Sequence, residues 1–350
     1  KFIDRSTTTT TLFDPRGLAV DQNIVTEVWD DTIIAPDWVI TEKKDIHNTD
    51  IDNRGDAKTQ TIKSSISDDN GVTYEEVTFQ VLTNREFDSD HNIENQMILT
   101  YMSQASYEAQ PAEPLDVQEI RSVGFHSSGV AGHQVIATFS DIAKTSLIDV
   151  KVIDNSSITL LGYVGESVIT RYGSLLNYDG ASGDLVVLDS SAIDRQTIQT
   201  LVFDERGNAL SQRIVREYYD STLPVPDFVF NEAQTIQTLD TYDIHNRAAD
   251  STIRSYTDST FSTFNDEMQH VQYLDYDKFG NVVTQTIDTY TTYDVDPNNL
   301  VDHKLIENTY TTPIAQRRGN ADISVVTRSD KLRKFIDRST TTTTLFDPRG

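Results

Sequence analysis

Polar and apolar positions along most of this chain follow a strand pattern. Runs of about ten residues, rich in Thr, Ile, Val and Tyr, alternate loosely between the two kinds and are bounded by Asp, Asn, Gly and Pro. In the run from Asn281 to Tyr290, Gln285 and Ile287 share one face, with Thr284, Thr286 and Asp288 on the other. Helical periodicity is scarce. The stretch from Asn92 to Tyr107 has an amphipathic helical pattern, but Ile98 within it falls in a repeating strand register, so it reads as strand.

The punctuation between runs repeats. Four segments carry an aromatic or aliphatic residue, Asp, two variable positions and Gly: Phe13-Asp14 to Gly17, Ile51-Asp52 to Gly55, Phe203-Asp204 to Gly207, and Tyr276-Asp277 to Gly280. Looser versions are Phe87-Asp88 with Asn92, Phe125-His126 with Gly129, Tyr242-Asp243 with Asn246, and Ala315-Gln316 with Gly319. Asp bonds its own backbone two residues on, and Gly or Asn accepts a positive φ, so each segment predicts a tight turn. Ten residues after the Asp position stand Ile24, Ile62, Ile98, Ile136, Ile214, Ile253, Ile287 and Val326, a candidate core register. Two residues before these come Gln22, Gln60, Gln96, Gln134, Gln212, Ser251, Gln285 and Ser324, which suit either amide ladders between strands or a simple polar face. A second, acidic and often Pro-bearing turn closes each unit: Trp29 to Asp37, Tyr219 to Asp227, Tyr293 to Pro297. Each unit is thus two antiparallel strands.

A longer period encloses the short one. Residues 1–17 recur letter for letter as residues 334–350, so 1–333 reads as one period of a tandem array and 334–350 as the start of the next. Successive turn positions imply nine hairpin units of about 37 residues, the one near 140–192 degenerate, with Tyr178-Asp179 there as an out-of-phase turn. A single hairpin cannot bury a core, so each needs its neighbours. The expected fold class is all-β: tandem antiparallel β-hairpin repeats forming a continuous coiled sheet, a tube- or shell-like β-spiral.

The Tyr/Phe-Asp-x-x-Gly-Asn turn with strand-forming flanks resembles the YD-repeat, or RHS, family, best at Phe203 to Asn208 and Tyr276 to Asn281. That resemblance implies hairpins coiled side by side into a shell, either enclosing a toxin or serving in cell-surface adhesion. Asp14-Pro15-Arg16-Gly17-Leu18 also resembles the self-cleaving end of such shells, but it occupies an ordinary turn position.

Charge narrows the partners. With 29 Lys plus Arg against 55 Asp plus Glu, the net charge is −26, which argues against nucleic acid and anionic membrane surfaces. There is no Cys and no apolar run of membrane-spanning length, so neither a disulfide framework nor membrane insertion of this segment is expected. The seven histidines lack metal-ligand spacing. Calcium candidates are Asp50 and Asp52, Asp88 and Asp90, and Asp294 and Asp296, all of which solvated turns explain more simply. Arg54-Gly55-Asp56 spells an adhesion tripeptide, yet Arg-Gly also recurs at Arg16, Arg206 and Arg318, which favours a structural use. No nucleophile elbow, phosphate loop or dinucleotide fingerprint occurs, so no enzyme and no cofactor are expected. The leading expectation is a structural protein of a giant extracellular polymer, a tube, sheath or filament whose partner is itself. The alternatives are a cell-surface adhesin or stalk, with Trp29, Trp38, Phe228 and Phe230 as aromatic loop-tip candidates, and a toxin-encapsulating shell.

Overall fold

The computed structural model describes residues 4–30, 37–109, 112–239 and 242–345. The acidic loop through Asp31 and Pro36, and the second copy of the first turn at Asp347, lie outside the described residues.

The chain is all-β, built from tandem antiparallel hairpins, and divides into two compact units. The first comprises Lys1–Tyr163 and Ile169–Ile193, the second Val164–Val168 and Asp194–Gly350. In the first unit the strands are β1 (Asp4–Phe13), β2 (Ala19–Asp30), β3 (Asp37–Ile51), β4 (Ala57–Ile66), β5 (Glu75–Phe87), β6 (Ile93–Tyr101), β7 (Asp116–Phe125), β8 (Ala131–Phe139) and β9 (Leu147–Ile158). Each is antiparallel to the next. A short helix, α1 (Gln104–Glu108), follows β6. After β10 (Val164–Tyr172) comes a separate hairpin of β11 (Leu175–Asp179) and β12 (Asp184–Val187). The second unit continues in the same order: β13 (Ala192–Phe203), β14 (Ala209–Asp220), β15 (Asp227–Thr238), β16 (Asp250–Tyr256), β17 (Phe264–Tyr276), β18 (Val282–Tyr290), β19 (Leu300–Thr309), β20 (Ile323–Ser329) and β21 (Phe335–Thr342). Among the described residues no helix is long and apolar enough to cross a membrane, which leaves crossing by strands unaddressed.

The tight turns share one bonding scheme. At Asp204 the carboxylate accepts from the amides of Arg206 and Asn208, the Asp204 amide donates to the Asn208 carbonyl, and Gly207 donates back to Asp204. Gly207 has φ +88°, where a side chain would be strained. The scheme recurs at Asp14, Asp52, Asp88, Asp243 and Asp277, and at His126 with the imidazole as acceptor. Three details differ from the sequence reading. After Asp88 the left-handed residue is His91 (φ +67°), one before Asn92. Gly319 caps the short helix α2 (Pro313–Arg318) instead of closing a tight turn, so Gln316 is helical. In the degenerate unit the repeating turn is Thr159 to Tyr163, with Thr in place of Asp and Gly162 in the left-handed position, while Asp179 turns the separate β11–β12 hairpin.

The aliphatic register works within each hairpin. Ile62 stands opposite Ile46, Ile98 opposite Leu82, Ile136 opposite Ile120, Ile214 opposite Ile198, Ile253 opposite Ile236, Ile287 opposite Val271, and Val326 opposite Ile306. Ile24 faces Thr8. On their other side these residues meet Lys44, Gln80, Gln118, Lys151, Gln234, Gln269, Lys304 and Ser339. Only Ile214 of the eight is buried and the rest are half-buried, so the register is a cross-strand zipper and not the deep core. The deep core of the first unit is Val117, Ala137, Phe139 and Val150, covered by Leu175, Tyr178, Leu185 and Val187 of the β11–β12 hairpin. That of the second unit is Met268, Tyr290 and Leu300 with Phe264.

Successive hairpins meet at a seam whose ladder ends early. The last β2–β3 pair is Asp21 with His47, leaving the Ala19 carbonyl beyond it. Asn48 of β3 donates its side-chain amide to that carbonyl at 3.1 Å. Asn84 does the same for Ala57, Asn155 for Ala131, and Asn308 for Val282; Thr238 supplies a hydroxyl to Ala209. In the first unit an amide ladder extends this: Gln96 donates to Asn84, Asn84 to Gln60 and Gln60 to Asn48. Asn84 is 2% exposed and sits at the centre. Asn84→Ala strands the Ala57 carbonyl and two glutamine amides, so urea denaturation is expected to show a loss of about 1–3 kcal/mol. A change under about 0.5 kcal/mol would remove the seam bond from the list of interactions that hold hairpin to hairpin.

Candidate functional site

The tight turns are stitched into rows. Arg16 lies two residues after Asp14 and donates to the carbonyls of Ile51 and Asp52 in the next turn, at 2.8 and 3.0 Å. Arg54 reaches Asp88 and Ser89, and Arg206 reaches Tyr242 and Asp243. The planar guanidinium suits two adjacent carbonyls as a lysine ammonium would not. The arginine of Arg54-Gly55-Asp56 is therefore bonded within the protein, and Asp56 is buried, accepting from His91 at 2.6 Å.

These bonds also set the electrostatics. Asp14 is held below its ordinary value, first by the Leu18 amide and against some desolvation. Asp52 is lowered first by the Asp56 amide, and Asp88 first by the Asn92 side chain. Of the calcium candidates, Asp52 and Asp88 direct their carboxylates at these turn amides, and Asp296 accepts from Asn298 and Asn299. Asp294 pairs with Arg254 at 3.5 Å, Asp90 lies in the turn that Asp88 closes, and Asp50 (φ +50°) stands in β3 between the pairs of Thr49 and Ile51. Among the described residues no group of three His, Cys, Asp or Glu comes together as metal ligands do. Histidines bond aspartates along the sheet, as His47 does with Asp21, His91 with Asp56, His133 with Asp154, His270 with Asp250, and His303 with Asp288.

The aromatic candidates sit on strands, where they pack on one another. Trp29 and Trp38 meet edge to face at 5.5 Å across β2 and β3, as Tyr219 and Phe228 do at 5.2 Å across β14 and β15. Arg5 lies over Trp38 and bonds Glu27, while Arg195 lies over Phe228 and bonds Glu217. Both clasps occupy the same offsets from their turn residues Asp14 and Asp204. That match was readable in the sequence once the turns were aligned. Phe230 is likewise on β15, so none of the four described aromatics is at a loop tip.

The degenerate unit builds a buried charge cluster in the first unit. Glu119 on β7 is fully buried and receives both Arg85 and Lys144, with the Tyr178 hydroxyl donating to it at 3.0 Å. Arg85 is the extra residue of a bulge in β5, between the pairs of Asn84 and Glu86, and the bulge aims it inward. Desolvation pushes the Glu119 carboxyl up, but hydrogen bonds and charge from Arg85 and Lys144 outweigh it and hold the group ionised below its usual range. The hairpin tip docks alongside: Asn95 and Arg121 donate to the Ser182 carbonyl, and Arg121 also to that of Gly183. Gly183 must be glycine here, since a Cβ would strike the Arg85 guanidinium and φ is +72°. Sequence reading missed the cluster because its members are scattered charges with no shared spacing.

An open groove of about 770 Å³ lies on the first unit, lined by Asp21, Asp45, His47, Lys63, Gln104 and Tyr107 among others. Two pairs of its polar groups bond each other, Asn23 with Asp45 and His47 with Asp21.

Two outcomes are expected. Glu119→Gln leaves Arg85 and Lys144 facing a neutral amide and should cost about 3–5 kcal/mol in urea denaturation. The triple change Glu119→Leu, Arg85→Met, Lys144→Met should recover most of it. Separately, the turn carboxylates are depressed in the folded state, so their stabilisation is complete above the unfolded value near 3.8 and is lost as pH falls through the folded values. The urea midpoint is expected to fall steeply below about pH 4, and a flat profile down to about pH 2.5 would contradict this.

No protein-family model matches the chain, and no curated protein matches it. Among solved structures it is similar to TcdB2-TccC3 without its hypervariable C-terminal region, with 13% identity and a TM-score of 0.19, over 93% of this chain and 19% of that one. A structure of the Photorhabdus luminescens Tc holotoxin pore gives 13% identity and a TM-score of 0.19, over 93% and 19%. The chain spans about a fifth of the length of these solved chains.

Proposed function

We propose that this chain is a structural repeat protein of the YD-repeat kind, one period of a long extracellular polymer in which hairpins stack onward from block to block as a tube, sheath or filament. The observation that carries the reading is the seam. In each unit, side chains of one hairpin complete the backbone of its neighbour, as Asn48 does for Ala19 and Thr238 for Ala209, and turn arginines bridge to the next turn. A chain whose repeats are bonded this way resists separation along the direction of stacking. The net charge of −26 keeps such polymers apart from one another. The reading assigns no catalytic role and no cofactor, and it makes neighbouring blocks the partner.

Chains carrying one, two and three consecutive 333-residue blocks test it by small-angle scattering. The longest dimension is expected to rise by the same increment with each block. Compact particles whose dimension grows only as the cube root of mass would overturn it.

A further inference from the structure

The chain contains a single Asn-Gly step, Asn70-Gly71. It lies in the loop of residues 67–74 between β4 and β5, where Asn70 is exposed. Both residues are left-handed, Asn70 at φ +57° and Gly71 at φ +79°. Gly71 has no side chain to crowd the approach of its own amide to the Asn70 carboxamide, which makes this step the reactive one. The asparagines that complete backbone bonds elsewhere, Asn48, Asn84, Asn155 and Asn308, are followed by Thr, Arg, Ser and Thr, whose side chains hinder the same approach. Asn70 has a backbone task of its own. Its Oδ1 accepts from the Ile40 amide at 2.8 Å, and Ile40 stands past the β3–β4 ladder, whose end pair is Glu42 with Ile66.

We propose that Asn70-Gly71 is a self-modification site, a deamidation step held in check by a latch at Ser67. In the reaction the Gly71 amide nitrogen loses its proton and attacks Cγ of Asn70. The new N–Cγ bond closes a cyclic imide, and the Cγ–Nδ2 bond breaks with loss of ammonia, which takes up the proton. Water from the surrounding solvent opens the ring at Cγ to give aspartate. Opening at the backbone carbonyl carbon gives isoaspartate instead, with the main chain rerouted through the side chain.

Three observations put the latch at Ser67. Its Oγ accepts from the Gly71 amide at 2.8 Å, so the attacking nitrogen is tied to another oxygen. Its own proton goes to Asp69 Oδ1 at 2.9 Å, which leaves its lone pairs to Gly71. Ser67 is 3% exposed and its amide donates to the Thr41 carbonyl at 3.0 Å, so the acceptor is fixed to the sheet and does not travel with the loop. Charge acts in the same direction. Asp69 is held below its ordinary value, first by the Thr73 hydroxyl, so it is ionised beside the step and opposes the amide anion that attack requires. The carboxamide is engaged by Ile40, so both reacting groups must be released before they meet. Aspartate at this position keeps an oxygen for Ile40. Isoaspartate lengthens the main chain by one methylene and draws that oxygen away.

The test follows Asn70 in the full chain during incubation in mildly alkaline buffer. Trypsin releases residues 64–85 as one peptide, in which mass spectrometry and an isoaspartate methyltransferase assay count amide, aspartate and isoaspartate. A free synthetic peptide of residues 64–85 sets the unlatched rate. The intact chain is expected to deamidate at Asn70 more slowly than that peptide. Ser67→Ala should speed the reaction about three- to tenfold, the weight of one hydrogen bond. Ser65→Ala, at a comparably buried serine on β4, should leave the rate alone and controls for general loss of stability. In the unaltered chain the rate should stay level in urea below the unfolding transition, because the loop opens by itself. That measurement decides the matter if Ser67→Ala does not fold. A rate equal to the peptide's, no acceleration by Ser67→Ala, equal acceleration by Ser65→Ala, or a rate that climbs with global unfolding would each overturn the latch.

Discussion

The structure depends on a carbonyl that its own ladder leaves behind. Where one hairpin meets the next, backbone pairing stops short of the tight turn, and the oxygen of Ala19, Ala57, Ala131, Ala209 or Val282 lies past the last rung. A polar backbone atom without a partner away from water costs free energy comparable to a lost hydrogen bond. Asparagine or threonine from the following strand supplies the bond, so the requirement recurs at seam after seam. The aliphatic zipper lies inside each hairpin, whereas between hairpins the side-chain seam bonds stand beside apolar pairs such as Val28 with Val39, Val135 with Val152 and Tyr290 with Leu300. Apolar contact and hydrogen bonding therefore act together in joining hairpin to hairpin.

A sheet of this kind has little room for a deep core, and the first unit gains one by departing from the repeat. The β11–β12 hairpin lays Leu175, Tyr178, Leu185 and Val187 over Val117, Ala137, Phe139 and Val150. The same hairpin covers Glu119, whose ionised carboxylate is sustained by two cations and a tyrosine hydroxyl. A buried ion pair of this type is a weak source of net stability against an apolar equivalent, but it is strict about geometry. It fixes where the hairpin tip docks, through Gly183 against Arg85 and Ser182 beneath Asn95 and Arg121.

Much of this organisation was legible from residue order. The tight turns at Asp14, Asp52, Asp204 and Asp277 could be read because their bonds close within five residues, and the Asp and Gly that make them are chemically distinctive. Of the stretch from Asn92 to Tyr107 read as strand, Ile93 to Tyr101 is strand, where Ile98 keeps the register, but Gln104 to Tyr107 lie in α1, which Ser103 caps. The turn at Thr159 was hidden by a weaker acceptor in the Asp position, and an irregular spacing sent the reading to Asp179. Gly319 fitted the spacing but belongs to a helix that Thr312 caps and Pro313 begins. The clasps of Arg5 with Glu27 and Arg195 with Glu217 span three strands, and their residue types are common enough to pass unnoticed without the alignment of turns.

Residue order alone settled what local bonding controls: strands, turns, the hairpin unit and the identity of the two end strands. Those follow from contacts across one turn or one pair of strands, where φ preference and the period of two leave few choices. Tertiary structure alone decided what meets at Glu119. Arg85 lies 34 residues before it and Tyr178 lies 59 after it. Their meeting needs a bulge to turn one strand's side chain inward and a separate hairpin to fold back over the sheet. Both are consequences of how distant surfaces pack, and no spacing along the chain encodes them.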